Sequence, residues 1–360
     1  MISEKKYIIL LIAIVSLFML GNLILWHGFV KQTFSSGEHH GDMARMGSYA
    51  MNKPAIGLFP YKKHHLEMAD YIKNGASRQV DVLTIGDSYF NGHSGNYFQD
   101  YLTEKYGLNV LNVPSKFQLN ALEMLYLLDD LGYLAEIKPR VVVLESVERN
   151  IYDRFVAKEV YVPRLTREQF AASFKPAGES FEDKAVRQLF PAIMFKANGQ
   201  YLKNRHYAWK HKKSASSSVG RIELTKNLFS NKGQENVLIY YKDDMQYLKR
   251  PKLDAALINK KMETAAAFLK KYNSRLVFMV MVDKFDLYQP FFTKEDAVDE
   301  NTFFTDFQAV KGNSYDFCDT KAVLQQAAFR GETDLCWGDD SHFSWKGDQL
   351  VGDELVKFLK

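Results

Sequence analysis

Two short motifs carry the residues best suited to chemistry: Gly86-Asp87-Ser88, which closes an apolar run, and Asp339-Asp340-Ser341-His342, just before the last helical stretch. A serine hydroxyl is a weak nucleophile at neutral pH and needs a positioned base, normally a histidine that a carboxylate orients. Ser88, His342 and Asp339 supply such a set, and its chemistry would be acyl transfer. Asp339 lies three residues before His342 in a short loop, a spacing at which a carboxylate can bond the far ring nitrogen and fix the tautomer. The bland alternative for the first motif is a strand-to-helix turn, in which Gly86 gives backbone freedom and Asp87 or Ser88 caps the helix.

The histidine inventory favours His342 as the base. Of nine histidines, His27, His39 and His40 lie near the N-terminal apolar stretch, and His64 and His65 precede the first β-rich run. His206 and His211 lie in a basic segment, and His93, five residues after Ser88, has no nearby motif to orient it. The second motif could instead be a surface turn or part of a metal site. No second histidine or carboxylate cluster accompanies it at ligand spacing, so neither a metal nor a cofactor is expected.

The elements that must position these residues begin with an anchor. Tyr7 to Trp26 is free of charge and, as a helix, long enough to cross the roughly 30 Å hydrocarbon core of a bilayer. Lys5 and Lys6 precede it, and the Ala-x-Ala-like site of a cleavable signal peptide does not follow it. The reading is an uncleaved, single-pass signal anchor with residues 1–6 cytoplasmic and the rest extracytoplasmic, although Lys31 weakens the charge bias. An oxidising compartment permits a disulfide between the only two cysteines, Cys318 and Cys336, the alternative being two buried thiols. A net charge of +4 and the lack of a long basic arm exclude nucleic acid as a partner.

Residues 27–75 are polar and read as a stalk with a lead-in helix. From residue 76 to 360, short β-rich runs (Val80–Ile85, Leu108–Val113, Val141–Leu144, Leu276–Val282) alternate with helical patterns, which predicts a parallel sheet with crossover helices. Ile258, Met262, Ala265 and Leu269 form one apolar stripe. Further helices are expected over Lys116–Leu131 and over Trp345–Leu359, the latter with Ser344 as N-cap. The pattern weakens over about 151–250, which reads as an insertion. Within it Lys203–Lys213 is expected to be a solvated loop, the alternative being contact with anionic headgroups or an acidic polysaccharide.

Gly86-Asp87-Ser88 after the first strand and Asp-x-x-His before the last helix resemble the SGNH (GDSL-type) hydrolase superfamily over about residues 78–360. The resemblance implies a flavodoxin-like three-layer α/β/α fold with Ser88 as nucleophile, His342 as base and Asp339 as its acid. Two motifs depart from the family. The Gly-x-Asn-Asp motif falls on Val147-Glu148-Arg149-Asn150, so Arg149 takes the usual asparagine place. The second-motif glycine is missing from Asn112-Val113-Pro114-Ser115.

Gly86, Asp87, Arg149 and Asn150 are therefore the oxyanion or substrate candidates, with Arg149 either a charged donor or an ion-pair partner of Glu145 or Glu148. The anchor, these departures, the motif order and the Lys284-Phe285-Asp286-Leu287-Tyr288 segment resemble membrane-anchored cell-surface O-acetyltransferases. That segment either lines the cleft or is a plain strand-end loop. The resemblance implies a multi-pass, MBOAT-type O-acyltransferase as donor partner and a polysaccharide acceptor. The expected activity is O-acetyl transfer through an acyl-serine, on the outer face of the cytoplasmic membrane. The alternatives are an esterase acting on glycans or lipids, and a non-catalytic glycan-binding scaffold.

Overall fold

A computed structural model of the chain describes residues 4–31, 41–46, 52, 54–57, 59–75, 79–91, 97–174, 181–250 and 252–359. Eight strands occur among them: β1 (Leu66–Glu67), β2 (Val82–Gly86), β3 (Val110–Pro114), β4 (Val141–Val147), β5 (Val219–Glu223), β6 (Val237–Tyr241), β7 (Arg275–Met281) and β8 (Asp316–Asp319). Six form one sheet in the order β1-β3-β2-β4-β7-β8, and every neighbouring pair is parallel. Parallel strands covered on both faces read as continuous apolar runs, and β2 and β4 are buried along their whole length.

The chain leaves β2 for β3 on one side and returns to β4 on the other. The switch point of this doubly wound sheet therefore lies at the carboxyl ends of β2 and β4, where open α/β sheets hold ligands.

Helices cover the sheet on both sides. Ala255–Leu269 buries Ile258, Met262, Ala265 and Leu269, and it meets the helix Ala121–Asp130 through Tyr126 and Phe268. The helices Phe98–Tyr106, Thr320–Phe329 and Trp345–Lys357 pack together as the other layer. Ser344 caps the last helix by accepting the Lys346 N–H. The helix expected from Lys116 starts only at Ala121, because Phe117 and Gln118 take left-handed backbone (φ 56° and 59°). Asn120 then closes a capping box with Glu123.

The N-terminal helix Glu4–Leu25 continues as a wider turn to Val30, is apolar enough to cross a membrane, and has none of its apolar window buried against protein. The described part of 27–75 is not a free stalk. Met43 is buried against Val219, Val237 and Ile239 of the antiparallel β5–β6 hairpin, β1 joins the main sheet, and Met68–Asn74 is helical. Within the insertion, Lys203–Lys213 is not a solvated loop. Through His211 it is the second half of the helix Met194–His211, which ends where Lys212 turns left-handed. That helix forms because its buried side, Met194 and Ala197, packs on Trp26 and Val30.

Candidate functional site

Ser88 sits in the turn that leaves β2, and a buried polar network shapes that turn. Thr84 Oγ1 donates to Asn112 Oδ1 at 2.9 Å, and Asn112 Nδ2 donates to Asn91 Oδ1 at 2.8 Å. Asn91 Nδ2 in turn donates to the carbonyls of Gly86 and Asp87. A Cβ at position 86 would lie 2.3 Å from Glu145 Oε2 and 2.8 Å from Phe90, so only glycine fits. Asp87 accepts from Arg154 Nη1 at 2.5 Å, from the Val147 N–H at 3.2 Å and from the Tyr89 N–H at 3.1 Å. Its own N–H donates to Glu145 Oε2 at 2.6 Å. Gly86 and Asp87 thus hold the turn rather than offer free donors. The Ser88 N–H has no acceptor among the described residues. Gly92 and His93 lie outside the described residues.

The second motif meets this turn from the far end of the chain. Ser88 Oγ lies 2.9 Å from His342 Nε2, and His342 Nδ1 lies 2.6 Å from Asp340 Oδ1. The carboxylate expected at Nδ1 was that of Asp339, and the structure corrects it to Asp340. The cause is local: Asp340 Oδ1 also accepts the His342 main-chain N–H at 2.9 Å, an Asx-turn that brings the carboxylate onto the residue two ahead. Asp339 is buried, and its carbonyl is in contact range of Gly41, where a Cβ would lie 2.3 Å away.

Three residues support His342: Tyr89 and Asp42, which the sequence did not single out, and Lys284, from the segment it did. Tyr89 packs its ring 4.8 Å from the imidazole and donates its hydroxyl to the Ser341 carbonyl at 2.8 Å. Lys284 is buried in a short helix, Lys284–Tyr288, all of whose residues are buried. Its Nζ donates to the carbonyls of Trp337, Gly338 and Asp340 at 2.6, 3.0 and 3.0 Å. This segment therefore clamps the histidine loop from beneath and is not part of the Ser88 cleft wall.

Asp42 comes from the segment that follows the N-terminal apolar helix. It accepts the Ser341 N–H at 2.8 Å and the Ser341 hydroxyl at 2.5 Å, and its own N–H donates to Asp340 Oδ2 at 2.9 Å. Its carboxylate is 3.8 Å from His342 Nδ1. Asp42, Asp340 and His342 thus offer three ligand-type atoms within 4.8 Å of one another, a carboxylate cluster the sequence did not show. Both ring nitrogens of His342 are already engaged, one by Asp340 and one by Ser88, which makes the group a hydrogen-bonded proton network.

Arg149 and Asn150 follow β4 in a tight turn, Glu148–Asn150, and part company there. Arg149 pairs with Asp283 and, at 3.3 Å, with Asp244. It pairs with neither Glu145 nor Glu148, and its guanidinium is committed to the Asp283 and Asp244 carboxylates. Asn150 lines the Ser88 cleft, a groove of about 560 Å³ whose wall also includes Asn91, Ser115, Lys116, Asn120 and Arg154.

The charges set protonation. Burial alone would lower the His342 pKa, but the charge and hydrogen bond of Asp340, then Asp42, outweigh it and raise it to about 9. Burial would raise Asp340, yet the imidazolium holds it well below the usual carboxylate range. Asp42 is pushed up by burial and by Asp340. Burial and the neighbouring Asp87 carboxylate push Glu145 well above the usual carboxylate range, while Arg154 overrides burial to hold Asp87 below it.

The expected Cys318–Cys336 disulfide is not formed: both are free, buried thiols. Cys318 lies within β8, paired across from Met279. Cys336 lies in the histidine loop, where it bridges Phe343 and its N–H donates to Tyr288 Oη. Burial raises both thiols, Cys336 to about 12. Comparisons with protein-family profiles, curated proteins and solved structures give no match to this chain.

Proposed function

We propose that this protein is an SGNH-type serine O-acetyltransferase, tethered to a membrane and acting on a polysaccharide on the extracytoplasmic side. The observation that carries the reading is the line Ser88 Oγ to His342 Nε2 at 2.9 Å and His342 Nδ1 to Asp340 at 2.6 Å, placed at the switch point of a doubly wound sheet. His342 takes the Ser88 proton as Oγ attacks the acyl carbonyl, Asp340 holds the imidazolium, and the acyl group remains on Ser88 until an acceptor hydroxyl removes it. The Ser88 N–H, which has no acceptor among the described residues, is the donor this reading assigns to the oxyanion.

Two features favour transfer to a sugar over hydrolysis of a lipid ester. Amide, hydroxyl and charged residues make up most of the cleft wall, and such groups can hydrogen-bond a polyhydroxylated acceptor. The segment after the N-terminal apolar helix also delivers Asp42 into the site. Lys31 and Gly41 can be at most about 36 Å apart along extended chain, so the site stays within reach of a membrane-bound acyl donor of the MBOAT type.

The test is to incubate the full-length protein in detergent with an activated acetyl ester, with and without oligosaccharide acceptors. Transfer predicts acetylated sugar that Ser88→Ala abolishes. Acetate released at the same rate whatever the acceptor would instead identify an esterase.

A further inference from the structure

The helix Met194–His211 carries a pattern that the acyl-transfer reading leaves unused. Phe195-Lys196, Leu202-Lys203 and Trp209-Lys210 recur every seven residues, a step that returns to nearly the same helix face with a drift of about 20°. The structure leaves this stripe outside the core: Phe195, Leu202 and Trp209 are 45%, 55% and 77% exposed. Leu189 and Phe190, just before the helix, are also exposed, and Lys196, Lys203 and Lys210 flank the stripe.

The same helix is joined to the span. The Phe195 ring stacks on Phe18 at 5.8 Å, Asn198 Nδ2 donates to the Asn22 carbonyl at 2.8 Å and to its side chain at 3.0 Å, and Tyr201 meets Phe29 at 6.2 Å. Phe18 lies eight residues inside Trp26, or about 12 Å at the helical rise. If the apolar helix spans a bilayer, the start of Met194–His211 must lie below that bilayer's surface. Asparagine pairs between helices at such depth replace the water that lipid withholds.

We propose that Met194–His211 is a second membrane element, lying in the outward-facing leaflet beside the spanning helix. The helix rises beside the span from Phe18 to Phe29, so Phe195 and Leu202 face lipid chains, Trp209 reaches the headgroup level, and the lysines extend outward toward it. Lysine one position on from each apolar residue can extend its charge to the interface while its stem stays in the apolar layer. The occupant of the stripe is lipid, because the contacts that begin the stripe are made to the spanning helix itself. The domain is thereby held by two elements and keeps one face toward the bilayer.

The test uses the full-length protein in nanodiscs of equal parts phosphatidylethanolamine and phosphatidylglycerol, with a nitroxide on Leu202→Cys or, separately, Trp209→Cys. The native thiols are buried. Lys260→Cys, on the exposed side of Ala255–Leu269, is the aqueous control. The Leu202 label is expected to relax more with oxygen than with a water-soluble nickel chelate, the Trp209 label to fall between it and the control, and the control to favour the chelate. Stripe labels as open to the chelate as the control would overturn the proposal. So would labels shielded from both reagents, which would mean protein cover by a second copy.

Discussion

Removing the Asp42 charge tests whether the segment after the N-terminal helix tunes the base. The Asp42 carboxylate lies 3.8 Å from His342 Nδ1. A pair at that distance interacts by about 1 kcal/mol in a watery environment and about 4 kcal/mol at an effective dielectric near 20. That corresponds to about one to three pKa units. Asp42 itself titrates high, because burial and Asp340 oppose its ionisation, so the low end applies. Asp42→Asn should therefore bring His342 from about 9 down by about one unit.

The neutral imidazole is the competent base, so activity rises as pH passes the His342 pKa. The variant's acid limb should shift down by the same amount, with several-fold faster turnover at pH near 7.5. The asparagine oxygen still accepts the Ser341 N–H, which preserves the loop. The assay is kcat/KM for an activated acetyl ester across the pH range with the buffer rate subtracted, together with an NMR titration of His342. An unmoved inflection in both would refute the electrostatic role, and equal losses in Asp42→Asn and Asp42→Ala without a shift would reduce Asp42 to packing.

Other outcomes follow from the same geometry. Asp340→Asn should lower kcat by about 10³–10⁴-fold by freeing the imidazole tautomer, whereas Asp339→Asn should leave the pH profile in place; equal effects would contradict the corrected assignment. Gly86→Ala forces a Cβ into Glu145 and Phe90 and should cost about 1–3 kcal/mol in a thermal melt, with a further loss of kcat as the Ser88 turn shifts. His65 is buried between Asp100 and Glu67, whose hydrogen bonds outweigh burial and raise it to about 9. A raised histidine stabilises fully below its unfolded pKa near 6.5, and the benefit fades as pH rises through 9. His65→Gln should thus be about 3 kcal/mol less stable than wild type at pH 6 and close to it above pH 9. A pH-independent difference would contradict the sign.

The central sheet was legible because buried parallel strands leave apolar runs, and β2, β4 and β7 are such runs. β1 was missed because it has two residues, and β8 because Asp316 and Asp319 bracket its apolar pair. Ser88 and His342 were legible from residue type and elimination. Asp340 rather than Asp339 was not, since the choice rests on an Asx-turn that spacing alone does not specify. Asn112 left a trace, a buried amide in an apolar strand. Asp42 left none, because its role exists only once Gly41 docks on the histidine loop, and the Lys284–Tyr288 segment was noticed without its role, since Lys284 clamps the loop only once its helix tucks beneath it. The Lys203–Lys213 run is largely exposed, as its charges suggest, but it is helical through His211 because it continues the helix whose first turns pack Met194 and Ala197 on Trp26 and Val30, a contact the run itself does not encode.

The central claim is that Ser88 carries the acyl group. The most direct measurement is to react the full-length protein with an activated acetyl ester, quench in acid, digest, and weigh the peptide that contains Ser88. The account predicts the added mass of one acetyl group on that peptide, abolished in Ser88→Ala and strongly reduced in His342→Ala. An unmodified Ser88 peptide while ester is turned over, or the same acetylation in the Ser88→Ala protein, would contradict it.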